Sequence, residues 1–196
     1  MNEEQKSPRP TPFAAKKGHS FSCREVEITS VRIRLRPISE QYAEDIFRHF
    51  TTDVTRYMYP KPPDRIEETL QFISRSQAGM QREDTLQFVI IDARSVEFLG
   101  CCGLYGRDQP RTPELGIWLK MDAHGHGYGR EAIAALKQWA DRHLQYDYLT
   151  YPVDRANIAS RKIPEGLGGQ IFREEKYRTE DGRILDLVDY KILPPQ

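Results

Sequence analysis

The stretch DAHGHGYGREA, residues 122–132, combines glycines at alternate positions with two histidines. Before it, PELGIWLK has the composition of a strand, and after it apolar residues recur at the 3.6-residue spacing of a helix. The glycines therefore occupy a turn from a strand into a helix: Gly125, Gly127 and Gly129. Helix starts leave backbone N–H groups unpaired with partial positive charge, and glycines let a ligand come close to them. Such a turn suits a phosphate or pyrophosphate.

Two other interpretations of this turn are open from the residues alone. A metal site would use His124 and His126, but zinc ordinarily takes at least three protein ligands, and no cluster of Cys or His supplies the rest. A glycine turn with a purely structural role needs no ligand at all. The spacing does not match the P-loop, because the Gly-Lys-Ser/Thr ending is absent.

Composition and charge exclude several classes of protein. A chain of 196 residues is long enough for one sizeable core, and 29 Lys+Arg balance 29 Asp+Glu, so neither nucleic acid nor a membrane surface is indicated as a partner. No apolar run approaches the roughly 18 residues of a membrane span. Cys23, Cys101 and Cys102 make an odd count without a disulfide spacing, which favours a reducing, cytoplasmic location; the adjacent pair is predicted to lie on a buried strand.

The beginning of the chain predicts a mobile tail. Residues 1–24 carry Pro8, Pro10 and Pro12 among Lys, Arg and Ser, and this composition buries too little apolar surface to order itself. They also lack the apolar segment of a signal peptide. We therefore predict a tail over residues 1–24 and a single domain over residues 25–196.

The periodicity predicts the order β, α, α, β, β, β, α, β, α, β, β, which is an α+β layout around one mostly antiparallel sheet. In VRIRLRP, residues 31–37, apolar residues alternate with an arginine row that we interpret as a solvated strand face. In PELGIWLKM, residues 113–121, Glu114, Gly116 and Trp118 share one face of a strand, so the carboxylate has room beside it.

Several of these segments together resemble a known family. PELGIWLKMDAHGHGYGREAIAALKQWA, residues 113–140, resembles the acetyl-coenzyme-A-binding motif of the GNAT N-acetyltransferases, whose turn reads Gln/Arg-x-x-Gly-x-Gly/Ala. VRIRLRPI, DVTRYMYP, VEFLGCCGLYG and NIASRK resemble its branch of RimJ/RimL-type ribosomal-protein N-terminal acetyltransferases. The similarity covers about residues 31–193. It implies an α/β/α-layered domain in which about four helices flank a mixed, mostly antiparallel sheet of about seven strands.

The resemblance also implies the cofactor site. The backbone of the glycine turn would bind the pyrophosphate of coenzyme A, two residues at the end of the preceding strand would pair with the pantetheine arm where neighbouring strands splay apart, and an asparagine would hydrogen-bond the same arm. The cofactor-binding residues would be Trp118, Leu119, His124, Gly125, His126, Gly127, Tyr128, Gly129 and Asn157. No resident metal is implied.

For catalysis, Glu114 is the candidate base, and Ser160, facing the sulfur, or a nearby tyrosine is the candidate acid. Three positions depart from the family pattern. His124 replaces Gln or Arg, and IPEGLGGQ stands where the family commonly reads EKLGF, with Gly169 in place of the aromatic. Pro164 is predicted to end or kink the helix beside Ser160, because it cannot donate to that residue's carbonyl.

These observations together predict an acetyl-CoA-dependent N-acetyltransferase that acts on a primary amine, either a protein N-terminus or a small molecule, by direct attack in a ternary complex. A homodimer is compatible with the resemblance. The main alternative is a GNAT-like module that binds coenzyme A as a sensor without efficient chemistry, as the departures at Pro164 and Gly169 suggest. A histidine metalloprotein is the second alternative.

Overall fold

The structure, a computed structural model, describes residues 11–107 and 109–195. Within these ranges eight strands form one sheet and four α-helices pack on it. The strands are β1 (Ile28–Thr29), β2 (Ile33–Pro37), β3 (Thr85–Asp92), β4 (Phe98–Tyr105), β5 (Glu114–Leu119), β6 (Leu149–Asp154), β7 (Gln170–Arg178) and β8 (Ile184–Ile192). The helices are α1 (Ala43–His49), α2 (Ile66–Gln81), α3 (Tyr128–His143) and α4 (Ile158–Glu165).

The element order predicted from periodicity is confirmed, with one strand more than the seven expected. The additional strand is β1, and its two residues are too few to produce a period-two pattern in the sequence. It pairs with β2 at the sheet edge.

The sheet is mixed and mostly antiparallel, as predicted. Its strands lie in the order β1-β2-β3-β4-β5-β6-β8-β7. Only β5 and β6 run parallel, because α3 connects them as a crossover, while the other neighbours run antiparallel. The one parallel pair therefore lies directly after the glycine turn in the chain.

Helices cover both faces of the sheet, which confirms the layered α/β/α arrangement. On one face Trp118 of β5 packs against Phe50 at the end of α1, with ring centroids 4.9 Å apart. On the other face Gly129 of α3 lies against β5, where an added Cβ would be 3.5 Å from Leu119 Cδ1 and 3.6 Å from Ile117 Cδ1. We call these the α1/α2 face and the α3/α4 face.

The central strands are buried on both faces. In β3 and β4 every residue is buried except the last, so their near-continuous apolar sequences form the middle of the core. Cys101 and Cys102 are free thiols at 1% exposure, as the buried-strand interpretation predicts. The apolar stripe of α3 is buried as well, which anchors the helix that follows the glycine turn.

Residues 11–24, which the sequence predicts to be part of a mobile tail, contact the domain. Residues 1–10 lie outside the described part of the chain. From residue 11 onward the segment packs on the domain, with Phe13 at 7% exposure and Cys23 fully buried. These two apolar side chains supply the burial that the proline-rich and basic composition lacks on average.

Backbone hydrogen bonds reinforce this docking. Phe13 N–H donates to the carbonyl of Glu83 at 2.8 Å, and Lys16 N–H donates to the carbonyl of His143 at 2.8 Å. In return, Gln145 N–H donates to the carbonyl of Ala14 at 2.7 Å. The segment therefore bridges the end of α2 and the end of α3, two elements that are distant in sequence.

We expect Phe13→Ala to lower the free energy of unfolding by roughly 2–4 kcal/mol, because it removes a buried aromatic ring. The same change should make residues 11–24 susceptible to protease while the rest of the domain stays resistant. Urea denaturation and limited proteolysis measure both effects. Val31→Ala is the control, since Val31 is 91% exposed and its loss should be neutral. Equal stability of the two variants would contradict the docking of this segment.

Candidate active site

The parallel strands β5 and β6 pair at one position and then separate. Glu114 lies opposite Thr150, and Thr150 N–H donates to the carbonyl of Pro113 at 3.0 Å. No further pair joins these two strands in the described residues. The two strands therefore diverge after this pair, as the resemblance implies for neighbouring strands at the site, and a gap lies between the ends of β5 and β6.

Helices α3 and α4 lie next to each other on the α3/α4 face, beside this gap. The glycine turn connects β5 to α3, and a short loop connects β6 to α4. Gly129 in the first turn of α3 is close enough to α4 that an added Cβ would lie 3.3 Å from Ile163 Cδ1. A side chain at this position would push Ile163 aside by a few tenths of an ångström, so the third glycine of the turn favours close packing of α3 and α4.

The first two glycines of the turn serve backbone geometry. Gly125 has φ of 79° and Gly127 has φ of 78°, a left-handed region in which other residues are strained. Gly127 is the N-cap of α3 and offers no side chain to cap the helix. The first N–H groups of this 16-residue helix are therefore not satisfied by a capping side chain, and an anion can take that place.

The two histidines make separate contacts with neighbouring segments. His124 Nε2 hydrogen-bonds the carbonyl of Leu119 at 3.0 Å, which ties the turn back to the end of β5. His126 contributes its backbone carbonyl to a hydrogen bond from Arg32. Across residues 11–107 and 109–195, no three His, Cys, Asp or Glu side chains are grouped so as to hold a metal ion.

Arg32 holds the glycine turn in place, a role that the interpretation of a solvated arginine row missed. Its Nη1 donates to the carbonyl of His126 at 2.9 Å, and its backbone N–H and Nε each donate to the Glu131 carboxylate at 2.8 Å. Its guanidinium lies 4.8 Å from the ring centroid of Tyr128. Alternation along β2 gives no sign of this role, because it depends on the packing of α3 beside the strand.

The ion pair also sets the charge state of Glu131. Partial burial raises the pKa of that carboxyl, but the hydrogen bonds from the backbone and guanidinium of Arg32 outweigh burial and hold the pKa below its ordinary value. The carboxylate is therefore ionised at neutral pH, and the Arg32 cation is largely compensated.

The predicted contacts Asn157 and Ser160 lie together at the start of α4. Asn157 caps the helix, and its Oδ1 accepts a hydrogen bond from Ser160 N–H at 3.2 Å. Ser160 Oγ lies 2.8 Å from the hydroxyl of Tyr151 in β6. Burial raises the pKa of Tyr151 to about 12, and the hydrogen bond to Ser160 opposes that rise. Both hydroxyls are thus neutral at physiological pH.

Glu114 lies at the other end of β5, where the strands still pair. Its side chain keeps solvent access, yet surrounding atoms desolvate the carboxylate and raise its pKa above the ordinary value. Arg107 lowers that pKa, Asp189 raises it and Arg173 lowers it, each through charge. A carboxylate whose pKa is raised toward neutrality is a better base than an ordinary one.

Glu114 faces a buried tyrosine that sequence reasoning did not single out. Tyr105 of β4 lies directly opposite Glu114, and its hydroxyl donates to Gln87 Oε1 at 2.6 Å. Its ring covers Gly103 and Gly116, since an added Cβ would lie 2.5 Å from Tyr105 Oη at the first and 3.1 Å from Cε2 at the second. The open space predicted beside Glu114 is therefore filled by this ring.

The two predicted catalytic residues lie on opposite faces of the sheet. Glu114 pairs with Thr150, and Ser160 hydrogen-bonds Tyr151, the next residue of β6. Successive side chains of a strand point to opposite faces, so Glu114 lies on the α1/α2 face and Ser160 on the α3/α4 face. The carboxylate and the hydroxyl thus lie on opposite faces of the sheet, near the point where β5 and β6 begin to separate.

The departures at Pro164 and Gly169 compensate each other. The helix α4 ends at Glu165, one residue after Pro164, in agreement with the predicted early stop. Gly169 N–H then donates to the carbonyl of Pro164 at 2.8 Å, and a Cβ at Gly169 would lie 2.7 Å from that oxygen. The aromatic residue of the family pattern has no room here, and the first turn of α4 keeps its cap.

A comparison with protein families decides the classification. Residues 32–170 match the model of the acetyltransferase (GNAT) domain, which is more than half of the chain. The chain belongs to the GNAT acetyltransferase family. It is an acetyl-CoA-dependent acetyltransferase by this membership, and the resemblance stated from the sequence is confirmed.

A curated relative and several solved structures of other proteins are similar to this chain. An uncharacterized N-acetyltransferase of Bacillus subtilis, YoaA, is 26% identical over 170 residues, which cover 84% of this chain and 95% of the relative. RimJ of Mycobacterium smegmatis, solved with a CoA disulfide, has a TM-score of 0.76 at 19% identity and covers 89% of this chain and 91% of its own.

A second solved structure has the same fold. RimL, a ribosomal-protein α-N acetyltransferase solved with coenzyme A, also has a TM-score of 0.76, at 17% identity over 86% of this chain and 98% of its own.

Within the part of this chain that the structure describes, none of the helices has the length and apolar character needed to cross a membrane.

We expect Gly169→Ala to lower the free energy of unfolding by roughly 1–3 kcal/mol, because the new methyl group must displace the backbone of Pro164. Chemical denaturation measures the loss. The matched control is Gln170→Ala, whose side chain is exposed in the next position and should be neutral. Wild-type stability of the Gly169 variant would show that the end of α4 does not have this close packing.

Proposed function

We propose that this GNAT enzyme transfers the acetyl group of acetyl-CoA to a primary amine by direct attack within a ternary complex. The gap between β5 and β6 supports the proposal most strongly. It has an uncapped helix start at one end, a hydroxyl on one face and a carboxylate of raised pKa on the other. This arrangement fits a cosubstrate lying in the gap and an amine arriving from the α1/α2 face.

The backbone of the glycine turn would hold the pyrophosphate, with N–H groups from His124 to Gly129 as donors. The backbone of Trp118 and Leu119 would pair with the pantetheine arm along the free edge of β5. The Leu119 carbonyl already accepts from His124 Nε2, so its second lone pair would serve the ligand. The amide oxygen of Asn157 accepts the capping hydrogen bond, so its amide nitrogen would donate to the pantetheine arm.

Glu114 would accept a proton from the acceptor amine, directly or through water. Deprotonating a lysine-like amine of pKa about 10.4 at pH 7 costs about 4.6 kcal/mol, whereas an α-amine of pKa about 8 costs only about 1.4 kcal/mol. The base is therefore important for the first class of acceptor and nearly dispensable for the second. The loss of activity when Glu114 is removed therefore indicates which class of amine the enzyme uses.

The transfer balances without any additional reactant. The amine nitrogen attacks the thioester carbonyl, the C–N bond forms and the C–S bond breaks. An ammonium acceptor gives up two protons in total: one passes to Glu114 and solvent, and the other ends on the departing sulfur. Ser160 would donate to that sulfur and recover its proton from solvent, which yields an amide and the coenzyme A thiol.

The acceptor would enter between the α1–α2 connection and the β7–β8 hairpin. Arg183 of the hairpin donates to the carbonyl of Thr55 at 2.8 Å and to that of Met58 at 3.4 Å. Tyr59 and Tyr177 meet across the same contact, with centroids 5.8 Å apart. These elements would form the acceptor wall on the α1/α2 face, for either a protein N-terminus or a small-molecule amine.

Isothermal titration with acetyl-CoA tests the cofactor site. We expect micromolar-scale binding by the wild type and at least roughly tenfold weaker binding by Gly127→Ala, because a side chain strains the turn that presents the N–H groups. The matched control is Gly182→Ala, which introduces similar backbone strain at φ of 86° in the distant β7–β8 turn. Wild-type protein that does not bind acetyl-CoA would refute the cofactor assignment.

The variant Glu114→Gln tests the base. With a lysine-like acceptor we expect kcat/KM to fall roughly 10²-fold, and with an α-amine only a few-fold, since less deprotonation is required. In the wild type kcat/KM should fall as pH drops and Glu114 becomes protonated, with a midpoint above the ordinary glutamate value of 4.5. The variant should lack this fall of kcat/KM, because it has no carboxyl group to protonate at this position. Full turnover by Glu114→Gln at every pH would remove Glu114 from this role.

A screen of N-terminal peptides, polyamines and small amines, followed by thiol release, separates the enzyme from the sensor alternative. We expect turnover with at least one class of amine, because the first turn of α4 keeps both its cap and the Ser160 contact despite Pro164. Binding of acetyl-CoA without thiol release across the whole panel would favour a module that senses the cofactor.

A further inference from the structure

Tyr151 of β6 lies beneath the start of α4 and its hydroxyl reaches one side chain. The residue is 2% exposed, and its Oη lies 2.8 Å from Ser160 Oγ. Among the described residues this is the only hydrogen bond that the hydroxyl makes. Its neighbour across the strand pair, Tyr190, differs, because that hydroxyl donates to Glu165 and accepts from Arg161.

The direction of the bond between Tyr151 and Ser160 follows from counting hydrogens. Each hydroxyl has one hydrogen to donate and can accept as well. If Ser160 donated, the Tyr151 hydrogen would remain buried without an acceptor, at a cost of about 1–3 kcal/mol. If Tyr151 donates, its hydrogen is satisfied and only the hydrogen of the less buried Ser160 remains. The second arrangement is therefore the stable one.

This direction controls where the hydrogen of Ser160 can point. The backbone of Ser160 is fixed by the cap, since its N–H donates to Asn157 Oδ1. Its Oγ accepts from below, on the side of β6, so its hydrogen must turn away from Tyr151. The same helix contacts the first turn of α3 through Ile163, one turn further on, which borders the gap between β5 and β6.

We propose that Tyr151 is a positioning residue: by donating to Ser160 Oγ, it directs the Ser160 hydroxyl hydrogen into the gap, where it hydrogen-bonds the sulfur of coenzyme A. The inference rests on the proposed function, because it needs coenzyme A in that gap. Tyr151 acts through Ser160 and does not touch the reacting atoms. Donation from the phenol also polarises the Ser160 hydroxyl and makes it a stronger donor.

The proposal is tested on the complex with coenzyme A itself, without an acceptor. A hydrogen bond to the thiolate favours its charged form and lowers the pKa of the bound thiol. Titration of the ultraviolet absorbance of the thiolate, with the protein in excess, measures that pKa. We expect Tyr151→Phe to weaken the acid dissociation of the bound thiol roughly 3- to 10-fold, and Ser160→Ala to weaken it at least as much.

The double variant provides the sharpest comparison. Because Tyr151 acts through Ser160, Tyr151→Phe should add nothing once Ser160→Ala is present. The matched control is Tyr190→Phe, which removes the hydroxyl of an equally buried residue beside α4 and should leave the thiol titration at its wild-type midpoint. Additive effects of the two changes, or an unshifted midpoint in Tyr151→Phe, would overturn the inference.

A variant that should shift the thiol pKa in the opposite direction distinguishes the proposed role from a loss of folding. Tyr151→3-fluorotyrosine keeps the shape of the ring and has a more acidic phenol, so the bound thiol should become more acidic and not less. A midpoint that stays unchanged or moves with that of Tyr151→Phe would contradict the proposal.

Binding and turnover separate this inference from the proposed function. Isothermal titration reports whether coenzyme A binds, and the amine screen reports whether the acetyl group is transferred. Shifted thiol titrations without turnover would support the role of Tyr151 and refute acetyl transfer. Turnover with unshifted titrations would support acetyl transfer and refute the role of Tyr151. Absence of coenzyme A binding would refute both proposals.

Discussion

The strands β5 and β6 can separate because each is paired along its whole length to a different neighbour. All six residues of β5 pair with β4, and all six residues of β6 pair with β8. Neither strand needs the other to satisfy one of its edges, so the two can separate after Glu114 and Thr150 without losing the sheet. The facing edges then offer backbone groups to a ligand, and this gap organises the rest of the site.

Ion pairs and hydrogen bonds fix the segments at both ends of that gap. At the end of β5, Arg32 holds the glycine turn through His126 and Glu131 while its own charge is compensated. The turn is thus held in place, and in the proposed complex the start of α3 would attract the anion. At the end of β6, the Asn157 cap and the Tyr151 hydroxyl together fix the position of Ser160. The glycine turn and Ser160 are therefore each held in position by residues of other segments.

The departures from the family pattern show how local changes remain compatible with such a site. Pro164 removes a hydrogen-bond donor from α4, and the chain accommodates this by ending the helix at once and turning back through Gly169. The close approach of the Pro164 carbonyl excludes any side chain at Gly169. The effect is confined to the end of the helix, because the cap that positions Ser160 lies at its start. The departures at Pro164 and Gly169 are thus structurally linked, because the glycine makes room for the proline carbonyl.

Periodicity and turn chemistry in the sequence determined the element order, the mostly antiparallel sheet and the glycine turn, because alternation and helical spacing are local properties of a chain. The family came from the resemblance of several motifs to the GNAT pattern, which the family comparison confirmed. Only the tertiary structure showed that residues 11–24 dock, since two isolated apolar residues carry no periodicity. It alone placed Arg32 on the glycine turn, Tyr105 opposite Glu114 and Tyr151 beneath Ser160. These contacts join residues from separate elements, and which elements meet depends on the packing of helices on a twisted sheet, not on any pattern within one segment.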